Sequence, residues 1–199
     1  MALVTEWPKE IVPSSMSWYL VSNSKTFIST FNGSSQTVRF PGSRWCCTLT
    51  FNNMVEKLSR QLEALTAELD GESGRVKIRN WIRKGLPDIG EPIVSVASQT
   101  GRILQTKGWK TNLVVLRKGD YLTVNNELKM ITIDVKSDAS GNASIPISPA
   151  LRYSPQVNEK IETLSPFGIF KLTSNDQGKF NFRPGVFTNV TLEFEEALY

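Results

Sequence analysis

Arg44-Trp-Cys-Cys-Thr-Leu-Thr-Phe-Asn-Asn-Met-Val-Glu-Lys-Leu-Ser-Arg-Gln-Leu-Glu-Ala-Leu-Thr-Ala-Glu-Leu-Asp-Gly71 reads as one strand feeding directly into one amphipathic helix. In the strand, Trp45, Cys47, Leu49 and Phe51 alternate with Arg44, Cys46, Thr48 and Thr50, the period-2 pattern of a half-buried strand. The helix is expected to start at Asn53 as N-cap, with Glu56 at the third helical position reaching back to free backbone N–H groups. Val55, Leu58, Leu62, Leu65 and Leu69 recur on one side at three- and four-residue spacing, and Gly71 supplies a stop. Burying each of these side chains yields about 1.5–3 kcal/mol, more than local helix propensity supplies. The helix therefore requires a sheet to lie on.

Working outward, Met16–Leu20, Thr26–Phe31 and Gln36–Phe40 are short β-prone runs separated by Ser-Asn-Ser-Lys and Asn-Gly-Ser-Ser turns. With Arg44–Phe51 they predict an antiparallel meander of up to four strands, with Trp18, Phe27, Phe31, Val38 and Phe40 on its buried face. Beyond the helix, Arg75–Trp81 is a strand with Val76 and Ile78 facing in, and Arg75, Lys77 and Arg79 form a basic ridge continued by Arg83 and Lys84. Ile93–Ala97 is the next strand. From Leu113 the texture changes to short, closely spaced strands: Leu113–Leu116, Asp120–Val124, Leu128–Val135 and Ala143–Ile147. Ile131, Ile133 and Val135 are placed on one face, and a small barrel or sandwich with its own core is expected. Asp138, Ser140 and Asn142 lack the later bidentate Glu of a calcium loop and read as a hairpin turn. Gly168–Leu172, Lys179–Arg183 and Val186–Glu195 return to longer strands. Glu195-Glu196 reads as a charged end.

Composition narrows the function classes. The 199 residues suit one core or two small lobes, and no apolar run approaches the ~20 residues of a membrane helix. Met1 to Pro8 lacks the basic-then-apolar layout of a signal peptide, so synthesis and folding in a cytoplasm are expected, and the sequons at Asn32, Asn142 and Asn189 are read as chance. Cys46 and Cys47, being adjacent, make no disulfide framework; Cys47 is expected in the core and Cys46 as incidental. Histidine is absent, which removes Ser/His/Asp and Cys/His catalysis and the commonest transition-metal ligand. No P-loop, Rossmann fingerprint, Cys-x-x-Cys pair or nucleophile elbow occurs, and no two acids are singled out as a catalytic pair. No enzyme activity, catalytic residue, metal or cofactor is therefore assigned. The net charge of +4 is too small to argue strongly for nucleic acid.

Several stretches resemble a pattern in tail proteins of long-tailed bacteriophages. They are Leu116-Arg-Lys-Gly-Asp-Tyr-Leu-Thr-Val, Leu128-Lys-Met-Ile, Ser137-Asp-Ala-Ser-Gly-Asn-Ala and Ile147-Ser-Pro-Ala-Leu-Arg. Pro166-Phe-Gly-Ile-Phe-Lys-Leu, Arg183-Pro-Gly-Val-Phe-Thr-Asn, Thr26-Phe-Ile-Ser and Gly42-Ser-Arg-Trp are similar to the same family. The motifs are short and structural, and specificity comes from their order. The resemblance implies a distal tail or tail-tip ring protein: a mainly β (α+β) chain with a tail-tube-like antiparallel β-sandwich, one helix over about 54–69, and a second small β-barrel or sandwich module. Residues 1–107 with 169–199 would form the ring domain, and 108–168 an inserted module. The implied assembly is a homo-oligomeric ring, taken as a hexamer, which joins the tail tube protein to the hub and fibre proteins in the virion after assembly in the host cytoplasm.

In a ring, neighbours meet through heterologous surfaces. Charge alone nominates Arg75, Lys77 and Arg79 on one side and Glu193 and Glu195 on the other as complementary interface residues. Competing readings are an OB-like single-stranded nucleic-acid-binding protein, which calls for exposed aromatics beside Arg75–Lys84, and a carboxylate-based glycan hydrolase, which calls for two acids in one cleft. A tail tube or terminator subunit is the related structural alternative.

Overall fold

The computed structural model describes residues 4–83, 85–182 and 188–198. Among them strand makes up 48% and helix 9%, a mainly β fold with one α-helix. The first elements are β1 (Val4–Glu6), β2 (Ser15–Val21), β3 (Ser24–Ile28), β4 (Ser35–Arg39), β5 (Arg44–Met54), α1 (Glu56–Leu69) and β6 (Arg75–Arg79). Then come β7 (Gly90–Val94), β8 (Gly101–Trp109), β9 (Val114–Leu116), β10 (Tyr121–Val124), β11 (Glu127–Ile131), β12 (Val135–Lys136) and β13 (Ala143–Leu151). The last are β14 (Phe167–Leu172), β15 (Asn181–Phe182) and β16 (Thr188–Glu196). Lys84, and the stretch from Arg183 to Phe187 within the tail-protein resemblance, lie outside the described residues.

The alternation in β5 has the expected result: Trp45, Cys47, Leu49 and Phe51 are all buried in one core with Val190, Leu192 and Phe194 of β16. The register pairs Leu49 with Leu192 and Cys47 with Phe194, so the two strands present their apolar side chains on one face. Among the described residues these strands belong to a seven-stranded sheet of order β1-β6-β14-β16-β5-β2, with β15 on β16. The β1–β6 pair is parallel. Leu62, Leu65 and Leu69 of α1 join the same core. Cys46 does point to the other face, yet it is also buried, because Tyr19 and Glu195 are its cross-strand neighbours. Both thiols are free, and burial pushes both upward in pKa.

The helix ends differ from expectation. Pairing of Met54 with Thr188 carries β5 past Phe51, and Asn53 takes a left-handed conformation (φ 55°), not a cap, its N–H donating to Asn189 Oδ1 at 2.8 Å. Val55 occupies the N-cap position, where its side chain cannot cap a backbone N–H, and it is half exposed, not on the buried face. Glu56 is the first helical residue and pairs with Arg60 one turn on. At the other end Asp70 already adopts the left-handed conformation, one residue before Gly71.

The expected four-strand meander is the largest correction. β2 pairs directly with β5 from Ser15↔Thr50 to Val21↔Arg44, while β3 and β4 pair only with each other. Asn23 joins the two ladders: its side-chain amide donates to the Pro41 carbonyl at 2.5 Å, and its backbone carbonyl accepts from Phe40 N–H at 2.7 Å. The hairpin is thus an arm that extends the β2–β5 ladder beyond the sheet. Trp18 packs on the core, but Phe27, Phe31 and Phe40 are exposed, Phe31 at 99%. Phe27 is on β3, Phe31 lies in the turn and Phe40 just past β4, and no layer among the described residues covers them.

A second, five-stranded sheet has order β10-β11-β13-β8-β7, with β9 and β12 paired beside it. Val94, Leu104, Val115, Leu122, Ile131, Ile145 and Ile147 form its separate core. A division at residue 108 falls inside β8, since strands from Gly90 onward already belong to this sheet. The β10–β11 turn is Asn125-Asn126, both at positive φ, as a two-residue hairpin demands. Ile133 is exposed, against expectation: the chain leaves the ladder after Ile131, and Asp134 accepts a hydrogen bond from Lys118 N–H at 2.8 Å. Leu128 and Tyr121 reach across to pack in the first core, where Tyr121 meets Trp45 edge-on at 5.5 Å. The Trp45 indole N–H donates to the Leu128 carbonyl at 3.1 Å, so the two sheets are joined by both apolar and polar contact.

Candidate functional site

Arg75, Lys77 and Arg79 lie on β6, and Glu193 and Glu195 on β16, with β14 between them in one sheet. Val76, Ile78, Leu192 and Phe194 take the core face, so both charged rows emerge on the opposite face of a single subunit. Much of this charge is matched within the chain. Lys171 of the intervening strand reaches Glu195 and Glu72 at 3.1 Å each, and these hydrogen bonds hold its ammonium above the ordinary lysine value. Arg44 pairs with Glu195 at 2.8 Å. Lys77 pairs with Glu6 at 2.5 Å and sits 4.9 Å from the centre of the Phe167 ring. Arg75 donates to the carbonyls of Glu72, Ser73 and Gly74 at 2.8–2.9 Å. Arg79 and Glu193 are exposed and have no ion-pair partner among the described residues.

The features that the competing readings call for can be placed as well. Trp81, beside the ridge, is half buried and packs edge-on against Trp7 at 5.4 Å. Glu6 and Glu162 line one groove of about 290 Å³ with Trp7, Arg79 and Phe167. Glu6 is largely exposed and ion-paired with Lys77, and Glu162 accepts from the backbone N–H groups of Leu164 and Ser165 at 2.8 Å. The Asp138 carboxylate accepts from Ser140 N–H, Asn142 N–H and the Asn142 side chain at 2.8–3.0 Å, and these bonds, the ones from Asn142 foremost, keep it below the usual carboxylate range. No cluster of three or more His, Cys, Asp or Glu suited to a metal occurs among the described residues.

The arm is the most conspicuous surface. Phe27, Ile28, Phe31 and Phe40 are all substantially exposed on a two-stranded hairpin, a unit that is at best marginally stable alone in water. Its only charges between Ser24 and Arg39 are Lys25 and Arg39. Nearby, Tyr19 and Val21 on β2 extend the apolar surface along the edge of the large sheet.

Sequence reading missed Glu196. Read as part of a charged end, it is 2% exposed and is gripped by Arg152, with Trp45 N–H at 3.2 Å and Leu128 N–H at 3.4 Å. The signal was present: Glu196 continues the Val190, Leu192, Phe194 alternation and so shares their inward face. No protein-family model matches the chain, and no curated protein matches its sequence.

Proposed function

We propose that this chain is a structural subunit of a bacteriophage tail that forms a homo-oligomeric ring at the distal end of the tail tube and connects it to the tail-tip or receptor-binding apparatus. The observation that carries this reading is the arm. An apolar hairpin that continues a sheet ladder into solvent is suited to reach a neighbouring copy, and such a contact is heterologous, as a ring requires. A basic arm also has a complement on the same chain, because the exposed side of α1 and the turn after it carry Glu56, Glu63, Glu68 and Asp70 against Lys57 and Arg60. The resemblance of the ordered motifs to tail proteins and the mainly β architecture are consistent with the same reading.

Light scattering over a range of concentrations, with negative-stain imaging of the same fractions, tests it. The expected result is a closed ring of fixed copy number with a central opening. Phe27→Asp/Phe31→Asp is expected to raise the concentration needed for assembly by about tenfold or more without changing the circular dichroism, since buried interface aromatics dominate binding energy. A wild-type chain that stays monomeric at every concentration and in the presence of tail tubes would overturn the proposal. Arg79→Glu is expected to weaken assembly less, by about two- to tenfold, as exposed charges do. Unchanged assembly in that variant would remove Arg79 from the interface.

A further inference from the structure

At the base of the arm, where it meets the second sheet, lies a groove of about 540 Å³ lined by Arg39, Phe40, Arg102, Leu151, Arg152 and Leu198, among others. Three arginines line it, and no Asp or Glu is among its lining residues within the described chain. Arg152 is already committed: it grips Glu196 and donates to the Ser43 carbonyl at 3.2 Å. That bond ties the base of the arm to the second sheet and makes the groove a preformed feature. Arg39 and Arg102 are exposed and have no ion-pair partner among the described residues. Between the charges, Phe40, Leu151 and Leu198 supply an apolar floor.

We propose that this groove is a docking site for a short acidic, aliphatic peptide segment of a partner protein. The guanidinium groups of Arg39 and Arg102, without an ion-pair partner among the described residues, offer planar donor forks that match carboxylates, and the apolar lining takes aliphatic side chains. The volume suits a segment of a few residues. The arm of a second copy is the wrong occupant on charge, because it carries Lys25 and Arg39 and no acid. A single-stranded nucleic acid fits less well, because two arginines neutralise few phosphates; the rings of Phe40 and Tyr153 also line the groove, which makes oligothymidylate the competitor to test. The groove shares Arg39 and Phe40 with the base of the arm, so its binding is measured in an assembly-deficient variant as well as in the wild type.

The test is fluorescence anisotropy on the full chain with a labelled octapeptide alternating glutamate and leucine, against a lysine–leucine octapeptide and a short oligothymidylate. Saturable binding of the acidic peptide alone is expected, weakening as salt rises. Arg39→Glu/Arg102→Glu should reduce that affinity about tenfold or more, and Arg39→Gln/Arg102→Gln should reduce it by a smaller factor, both with an unchanged melting temperature, because the two side chains are exposed. Phe27→Asp/Phe31→Asp, designed to block assembly, should bind the peptide as the wild type does. No saturable binding at millimolar protein, equal binding by the double charge variant, or displacement of the peptide by oligothymidylate at lower concentration would each overturn the proposal.

Discussion

Glu196→Ala is expected to lower the unfolding free energy by about 3–5 kcal/mol, because it strands a buried guanidinium. The Glu196 side chain is 1% exposed and that of Arg152 is 13% exposed, and the carboxylate meets both terminal nitrogens of the guanidinium. The same carboxylate satisfies the backbone N–H groups of Trp45 and Leu128, which come from different sheets. Removing it leaves the largely buried guanidinium with only the Ser43 carbonyl, and two amides without that acceptor. Glu196→Gln keeps an acceptor and loses the charge, so an intermediate cost is expected. Replacing both partners, as in Arg152→Met/Glu196→Leu, should recover much of the loss, since a buried pair contributes little beyond what apolar packing provides. Equilibrium urea unfolding, followed by tryptophan fluorescence and by circular dichroism, measures all three. A loss below about 1 kcal/mol for Glu196→Ala would mean that water reaches Arg152.

The same residue shows what periodicity can and cannot report. Alternation along β5 and β16 correctly assigns faces, and three-to-four spacing correctly assigns Leu62, Leu65 and Leu69 to the core. Face assignment is a local property of the backbone, so a single sequence carries it. What covers a face is decided by residues far away in the chain. Phe27 and Phe31 are spaced as core residues are, yet Phe31 falls in the turn beyond β3 and no layer of the described residues covers Phe27, so both face solvent. Cys46 sits on the polar face and is buried, because Tyr19 and Glu195 close over it. The charged ridge follows the same logic: Lys77 is matched by Glu6 and Lys171 by Glu72 and Glu195, partners that only the sheet order brings near. Residual charge at Arg79 and Glu193, and at Arg39 and Arg102 of the groove, all without an ion-pair partner among the described residues, emerges only after those pairs are subtracted.

Lys129 lies between the two cores in the middle of β11 and is wholly buried, with Nζ donating to the Ala150 carbonyl at 2.8 Å and to Glu127 at 2.5 Å. Glu127 also accepts from Arg152 N–H and Tyr153 N–H at 3.2 Å. Burial, partly offset by Glu127, holds Lys129 below the ordinary lysine value. Glu127→Ala is expected to cost about 3–5 kcal/mol near neutral pH, and the ammonium part of that cost has a ceiling. The stranded lysine can shed its proton instead, at about 1.4 kcal/mol per pH unit below ~10.4, or about 4.6 kcal/mol at pH 7. Deprotonation in the folded variant means that the unfolded chain binds more protons, so the variant's stability rises with pH up to ~10.4. The wild type gains less, because Glu127 keeps its folded-state value closer to that of the unfolded chain. The gap between the two should therefore shrink as pH rises, toward the roughly 1–2 kcal/mol left by two backbone N–H groups without acceptors. Cys46 and Cys47 titrate in the opposite sense above ~8.5, but they are common to both chains and cancel in the difference. Urea midpoints of both proteins from neutral pH to about pH 9.5 measure the gap, and a pH-independent gap would show that Lys129 keeps its proton and finds another partner.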